Sequence, residues 1–234
     1  MSLRSKHHRQ DRINRLHLTT LDHISREGVQ GLRLGAIAKE LGYTTAALYR
    51  YYPSRESLIL ELQKQTLTLL HESLFVFLEE VKVLTPIGKL LLCAQYYSLY
   101  AERSPASFAL NSTLFANPST MMGQIERQEA MRVIGNLLSI LSDLIKEAKL
   151  SLSQPSLSLA VGYWSTLYGA LMTRKYQNEL TLLEPVDLII ALFIGWGASH
   201  NQISQAREEA KIWGTVLHSE KLSKLTKLDH LNIS

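Results

Sequence analysis

Hydroxyl-bearing and basic side chains are concentrated between residues 44 and 52. This nine-residue stretch contains two threonines, three tyrosines and one arginine. Hydroxyl and guanidinium groups are the groups that proteins use to bind phosphate oxygens and the edges of bases. Most of these side chains must face outward, which indicates a surface for nucleic acid. The alternative is that the aromatic and leucine side chains only pack a small helical bundle.

Residues 34–51 have the anatomy of a helix-turn-helix, which would present this stretch to a groove of DNA. Ala38 is small where two helices cross, and Gly42 can adopt the positive φ that a tight turn requires. Thr44 is placed to cap the exposed amides of the second helix. We therefore expect the second helix to point its first turn outward, with Leu48 packing underneath.

Two groups of contacts with double-stranded DNA are predicted from this geometry. The early residues of the second helix reach base edges, while flanking groups hold phosphates. The base-edge candidates are Thr45, Ala46, Ala47 and Arg50. The phosphate candidates are Thr44, Tyr49, Tyr51 and Arg55.

The rest of the chain is predicted to be helical, because apolar residues recur at helical spacing and no segment alternates convincingly as a strand would. The fold class is therefore all-α. The predicted helices lie at 11–26, ended by Gly28, then at 34–41, 44–51, 54–83, 86–100, 105–115, 120–150, 156–178 and 185–205. The predicted domains are a helix-turn-helix domain at 1–58, a helical bundle at 59–205, and an extension at 206–234 that is helical or partly disordered.

The charge of the chain is unevenly distributed. The net charge is +4, and the first 58 residues hold ten Lys or Arg against five Asp or Glu. A basic amino-terminal domain suits phosphate binding, although a solvated basic face would look the same by count. Cys93 is the single cysteine, and no apolar run approaches the roughly 18 residues of a membrane span. We expect a protein of the cytoplasm that is neither exported nor membrane-spanning.

The amino-terminal residues resemble the signature of TetR-type repressors. The resemblance covers residues 12–62, and its main elements are Ala36-Ile37-Ala38, Leu41-Gly42, Ala47-Leu48-Tyr49-Arg50-Tyr51-Tyr52 and Ser54-Arg55-Glu56-Ser57-Leu58. It implies that the turn glycine is Gly42, and that Tyr49, Tyr51 and Arg55 contact DNA. One departure is Arg33, which stands where the family often has a threonine that caps the first helix of the motif.

The helical bundle is similar to a TetR subgroup in which a tryptophan is followed by an aromatic residue or histidine and a glycine. Here the motif runs from Trp164 to Gly169, and residues 104–115 resemble a helix of the same subgroup. The resemblance implies that the last two core helices pair with a second copy as a four-helix bundle. Apolar and small residues would form that dimer face: Gly169, Leu188, Leu192, Phe193 and Gly195. The alternative is that these helices are interior to one protomer.

Aromatic and methionine side chains cluster in the middle helices. Family resemblance implies a cavity among them for an apolar or aromatic small-molecule effector, although such stripes are also typical of plain core. The candidates are Tyr97, Tyr100, Phe108, Phe115, Met122, Trp164 and Tyr168.

Catalysis and cofactors are not predicted. No metal-ligand cluster is convincing, because His7-His8 lies in a tail and Cys93 has no partner at useful spacing. No nucleophile with an activating base can be argued either.

The resulting interpretation is a homodimeric repressor that binds a palindromic operator and is released by an effector. Two alternatives remain: a helical-bundle enzyme or small-molecule carrier without DNA binding, and a regulator that has no small-molecule effector.

Overall fold

The computed structural model describes residues 3–116, 124–176 and 182–217. The described residues form α-helices and one 3₁₀ turn at Arg174–Tyr176, with no strand among them, so the all-α prediction is confirmed. The helices are α1 Leu3–Gly31, α2 Leu34–Glu40, α3 Thr45–Tyr49, α4 Arg55–Glu80, α5 Pro86–Arg103, α6 Pro105–Ala116, α7 Gln124–Glu147, α8 Ser156–Thr173, α9 Pro185–Gly195 and α10 His200–Leu217.

The chain divides into two compact units. The first contains residues 3–68, 104–116 and 124–131, and the second contains residues 69–103, 132–176 and 182–217. The predicted boundary after residue 58 falls within α4, which contributes residues to both units. Helix α6 contacts α1 and belongs to the first unit. The predicted assignment of separate functions to the two parts stays a prediction.

The core of the first unit is built from the apolar faces of α1, α2, α3, α4 and α6. Its fully or almost fully buried side chains include Leu16, Ile24, Ile37, Leu48, Leu58, Leu62 and Leu110. Polar groups between α4 and α6 are paired as well. The Gln63 amide donates to the Leu110 carbonyl at 2.9 Å, and Thr66 bonds Asn111 at 2.9 Å. These bonds satisfy polar atoms that would otherwise be costly to bury.

Helix α1 is longer than predicted. It begins at Leu3 rather than near Asp11, because residues 3–10 carry helix-compatible types but almost no apolar periodicity for a sequence pattern to register. Gly28 has φ 71° and interrupts the helical geometry where the sequence placed the end of the helix.

The core of the second unit involves α5, α8, α9 and α10. Tyr163 is buried and donates to the Leu90 carbonyl at 2.6 Å, and the rings of Phe77 and Tyr96 stack at 5.4 Å. Cys93 is also buried, and its burial raises the pKa of the thiol to about 12. A thiol of this kind stays protonated at neutral pH and serves as a packing group.

The carboxy-terminal part of the prediction needs one correction. The single helix predicted at 185–205 is two helices, because Gly197 adopts φ 87° between α9 and α10. Residues 206–217 are helical, which is one of the two predicted outcomes, and they belong to α10, which packs along α5 and buries Ala206 and Ala210. The Glu209 carboxylate accepts from the Thr85 hydroxyl at 2.6 Å and fixes α10 to the start of α5. Residues 218–234 lie outside the described part of the chain.

Among the described residues, no helix is both long enough and apolar enough to cross a lipid bilayer.

Candidate nucleic-acid interface

The turn between α2 and α3 is fixed by backbone hydrogen bonds around Gly42. The amide of Tyr43 donates to the Ala38 carbonyl at 2.8 Å, and the amide of Gly42 donates to the Lys39 carbonyl at 3.2 Å. This pair of bonds is a Schellman motif, which needs a left-handed residue after the helix. Gly42 supplies it with φ 70°. The predicted role of this glycine is therefore confirmed.

The start of α3 is capped as predicted. Thr44 has an extended backbone, and its hydroxyl oxygen accepts from the amide of Ala47 at 3.2 Å. The start of α2 has no such cap, because Arg33 makes no side-chain bond to the first turn. The position of α3 is thus fixed by the turn before it and by the cap at its amino end. Helix α2 has no side-chain cap and is held in place by its buried apolar face.

Helix α3 has one buried side and one open side. Leu48 is 1% exposed and lies in the core of the first unit. Thr45, Ala46 and Arg50 are exposed, and Tyr49 is 49% exposed. The side chains predicted to reach base edges therefore face solvent, apart from Ala47, which is half-buried.

The three tyrosines around the end of α3 have different surroundings. Tyr49 projects outward, whereas Tyr51 is half-buried against the core. The Tyr52 hydroxyl lies 2.6 Å from Nε2 of His17 on α1. Burial, with a smaller contribution from the Glu61 carboxylate, raises the pKa of Tyr52 to about 12, and burial lowers the pKa of His17. The hydrogen bond between Tyr52 and His17 ties α1 to the segment after α3.

Arg55 occupies a structural position that the sequence did not predict. Its Nε donates to the Leu32 carbonyl at 3.0 Å, one Nη donates to the Val29 carbonyl, and the other lies 3.4 Å from the Glu56 carboxylate. The guanidinium therefore joins the start of α4 to the connection between α1 and α2. These bonds give Arg55 a positioning role, and its predicted phosphate contact stays a prediction.

Other charged residues that sequence reasoning passed over hold α1 against α2. His23 is buried, and its Nε2 lies 3.0 Å from the Glu40 carboxylate. Arg26 contacts Asp22 at 2.6 Å and Glu40 at 3.3 Å. A spacing of four residues makes the pairing of Asp22 with Arg26 predictable. The contacts with Glu40 join α1 to α2, and no local sequence spacing predicts them.

Four of the residues predicted to bind an effector lie close together in pairs within the second unit. Trp164 and Tyr168 stack at 5.0 Å, and Tyr97 and Tyr100 approach at 5.8 Å, all in the second unit. Burial raises the pKa of Tyr97, and both Trp164 and Tyr168 interact with it. Phe108 belongs to the first unit. Met122 and the side chain of Phe115 lie outside the described residues.

A cavity of about 370 Å³ in the second unit was not predicted from sequence. Gln95, Glu102 and Arg174 line it together with Lys211. Arg174 also contacts Glu102 directly. This mixed-charge lining comes from three separate helices and the 3₁₀ turn, so no contiguous motif could have revealed it.

The predicted dimer-face residues separate into surface and interior groups. Phe193 is fully buried and packs its ring against those of Tyr163 and Trp196. Its side chain stabilises the protomer interior, so we correct its predicted place in the interface. Gly195 is exposed. The remaining predicted members, Gly169, Leu188 and Leu192, are half-buried.

Comparison with known proteins identifies the amino-terminal motif. Residues 19–62 match the family model described as bacterial regulatory proteins, tetR family. The helix-turn-helix part of this chain is thus similar to bacterial regulatory proteins of the tetR family. The match spans the last 13 residues of α1, all of α2 and α3, and the first two turns of α4. No curated protein matches the sequence significantly.

Solved structures of similar fold extend the likeness over most of the chain. The protein SCO4313 is 20% identical, with TM-score 0.62, covering 82% of this chain and 97% of its own. FadR from Bacillus subtilis, in complex with stearoyl-CoA, is 15% identical, with TM-score 0.58 and coverages of 78% and 96%. AibR, in complex with isovaleryl coenzyme A and operator DNA, is 14% identical, with TM-score 0.57 and coverages of 80% and 98%. At these identities the likeness establishes the fold.

Replacing Arg55 with alanine should lower the free energy of unfolding of the first unit by about 1 to 2 kcal/mol, because two backbone carbonyls lose a charged donor at a partly exposed site. Urea unfolding followed by circular dichroism measures the change. Arg50→Ala is the matched control, since Arg50 is exposed, and it should change stability by no more than about 0.5 kcal/mol. Equal losses in the two variants would contradict the positioning role.

Proposed function

We propose that this protein is a TetR-family regulator, a homodimeric repressor that binds a palindromic DNA operator through α3 and leaves it when a small molecule binds its second unit. The observation that carries the proposal is the orientation of α3. Leu48 anchors the helix below, while Thr45, Ala46 and Arg50 face solvent above. In a helix-turn-helix, this open side is the one that enters the major groove.

The proposed DNA contacts follow from the exposure of each side chain. Thr45, Ala46 and Arg50 are assigned to base edges, with Ala47 at the margin because it is half-buried. Tyr49 is 49% exposed and is assigned to phosphates. The groups that read sequence and those that only position the protein are thus on one helix but are separable by mutation.

Thr44 and Tyr51 are also proposed to contact phosphates, and the surroundings of each side chain determine how well it could reach one. Thr44 uses its oxygen to accept from an amide, so its own hydroxyl proton remains available for a phosphate. Tyr51 is half-buried, which limits its reach. The relative AibR, whose structure contains operator DNA, supports this use of the fold.

Thr45→Ala and Tyr49→Phe should have different effects on DNA binding. Loss of the Thr45 hydroxyl should weaken binding to the preferred operator by about 1 to 3 kcal/mol and change base preference, because that group is assigned to a base edge. Loss of the Tyr49 hydroxyl should weaken operator and random DNA equally. Fluorescence anisotropy on an operator selected from genomic fragments measures both. Parallel losses on both DNAs for Thr45→Ala would contradict its assignment.

The dimer face is proposed on the exposed sides of α8 and α9, which contact each other in the second unit. Helix α8 exposes Leu157, Val161 and Met172, each at least 40% accessible. Helix α9 exposes Ile194, which is 57% accessible, next to the small residue Gly195. Two adjacent helices with apolar outer faces and a small residue suit a four-helix bundle with a second copy.

Dimerisation would place two copies of α3 at the spacing of successive major grooves. Recognition helices of dimeric regulators lie about 34 to 36 Å apart, and palindromic operators follow from the twofold axis. A single five-residue helix offers too few contacts for useful affinity, so the dimer is part of the proposed mechanism.

Ile194→Asp should convert the dimer to monomers, since a carboxylate would be buried unpaired in the bundle. Sedimentation velocity at micromolar concentration measures the change, and operator affinity should fall with it. Ile212→Asp is the matched control, because Ile212 is similarly exposed at 63% but lies on α10. Dimers of Ile194→Asp with wild-type affinity, or monomers in the control, would contradict the proposed face.

The effector is proposed to be an apolar or aromatic compound that contacts the aromatic group formed by Tyr97, Trp164 and Tyr168. The stacked indole and phenol rings and the nearby Tyr97 offer apolar area with polar edges. FadR and AibR, which share the fold, were crystallised with acyl-coenzyme A compounds, so acyl thioesters belong among the compounds tested.

Trp164→Ala should reduce effector affinity at least tenfold while leaving operator affinity within twofold, because the stacking surface is lost but α3 is untouched. Isothermal titration with a panel of aromatic compounds, fatty acids and acyl thioesters identifies the effector first. The control is Trp213→Ala, a half-buried tryptophan on α10. An unchanged affinity in Trp164→Ala would move the effector site elsewhere, with the 370 Å³ cavity as the next place to test.

A further inference from the structure

The amino-terminal part of α1 differs from the rest of the first unit in its exposure. Residues 8–12, 14 and 15 are all exposed, and Ile13 is only half-buried. From Leu16 onward, buried side chains recur along the helix. We call residues 3–15 the basic arm. The arm is continuous with the packed part of α1, and its residues 8–15 bury little surface.

The basic arm carries most of the charge excess of its unit. Residues 3–15 contain five Lys or Arg and one acid, Asp11. Arg9, Arg12 and Arg15 have no carboxylate partner among the described residues, whereas Arg26 and Arg55 do. The single side-chain bond within this set is from Arg12 Nε to the His8 carbonyl, which leaves the ends of the guanidinium open.

The spacing of these cations suits a phosphate backbone. Arg9, Arg12 and Arg15 follow each other at intervals of three residues, so they lie on neighbouring positions of the helix surface and span roughly 9 Å along its axis. Guanidinium groups bind phosphates with paired hydrogen bonds. A helix with one half-buried apolar residue between positions 8 and 15 has no apolar face to insert into a membrane surface.

The hydrogen bond between His17 and Tyr52 places the basic arm beside the recognition segment. Tyr52 lies three residues after the end of α3, and its hydroxyl is 2.6 Å from the imidazole of His17. Arg15 is two residues before His17, roughly 3 Å along the axis, and Arg9 is roughly 12 Å away. The arm therefore ends within one helical turn of a contact with the segment that follows α3.

We propose that the basic arm is a second DNA-binding element, which holds phosphates of the duplex flanking the base pairs read by α3. This inference rests on the proposed function of α3. The arm adds affinity without sequence information, because guanidinium–phosphate contacts are the same on every sequence. It also makes binding more sensitive to salt, since each neutralised phosphate releases counterions.

The test is the triple variant Arg9→Gln, Arg12→Gln and Arg15→Gln, in which glutamine keeps a good helix former at each position. Affinity is measured on the operator and on a random duplex of equal length, between low and physiological salt. The slope of log K against log salt should become shallower by about 0.9 for each lost phosphate contact, hence roughly 3 for each bound protomer. The fold-loss should be the same on both duplexes.

The matched control removes the same number of charges from exposed positions of the second unit, by Lys82→Gln, Lys146→Gln and Lys211→Gln. In this control the slope of log K against log salt should differ from that of the wild type by no more than about 0.9, the value of one phosphate contact. The reason is that charges are screened beyond about 10 Å at 0.1 M salt. Circular dichroism and urea unfolding of both triple variants confirm that each is folded before its binding is compared.

Failure of the basic arm can be told apart from failure of α3. If the wild type prefers the operator and Thr45→Ala removes that preference, the proposed function stands. A triple arginine variant with the wild-type slope, or with the slope of the lysine control, would then overturn the arm alone. A loss confined to the operator would also overturn it, since it would indicate base reading. If the wild type shows no preference for any duplex, both proposals fall.

Discussion

Burial of the Leu48 side chain is the constraint on which the recognition surface depends. Helix α3 has five residues, far fewer than the dozen or so that an isolated helix needs to be even marginally stable in water. Its shape must therefore come from its attachments. Leu48 supplies the attachment to the core, while Gly42 and Thr44 fix the point and direction at which the chain enters the helix. Rotation of α3 about its own axis would expose the Leu48 side chain and bury the hydroxyls of Thr45 and Tyr49. The burial of Leu48 therefore determines which side of α3 faces solvent.

The same constraint explains why several polar residues near α3 are structural. Arg55, His17 and His23 each satisfy a partner on another helix or connection, and each bond restricts how the helices below α3 can move. A count of cations in the first 58 residues cannot separate such groups from those that are available to a ligand. The distinction matters physically, because a guanidinium that already bonds backbone carbonyls must break those bonds to reach a phosphate.

Sequence reasoning succeeded where the determining contacts are local. Gly42 and Thr44 act on residues within five positions of themselves, so residue type and spacing were sufficient. It missed the backbone bonds of Arg55, whose carbonyl partners lie 23 and 26 residues earlier. It also failed for the start of α1, because a helix without an apolar face has no periodicity, and at Gly197, where one glycine divides a run of helix-forming residues.

The second unit shows a different limit, which arises from uniform hydrophobicity. Residues 185–195 are almost entirely apolar, so the pattern cannot tell the side that packs inward from the side that could meet a second copy. The structure resolves this, with Ile189 and Phe193 buried and Ile194 exposed. Both α8 and α9 keep exposed apolar side chains, and the proposed dimer face rests on them. The small residue Gly195 beside Ile194 would let another backbone approach, which a larger side chain would prevent.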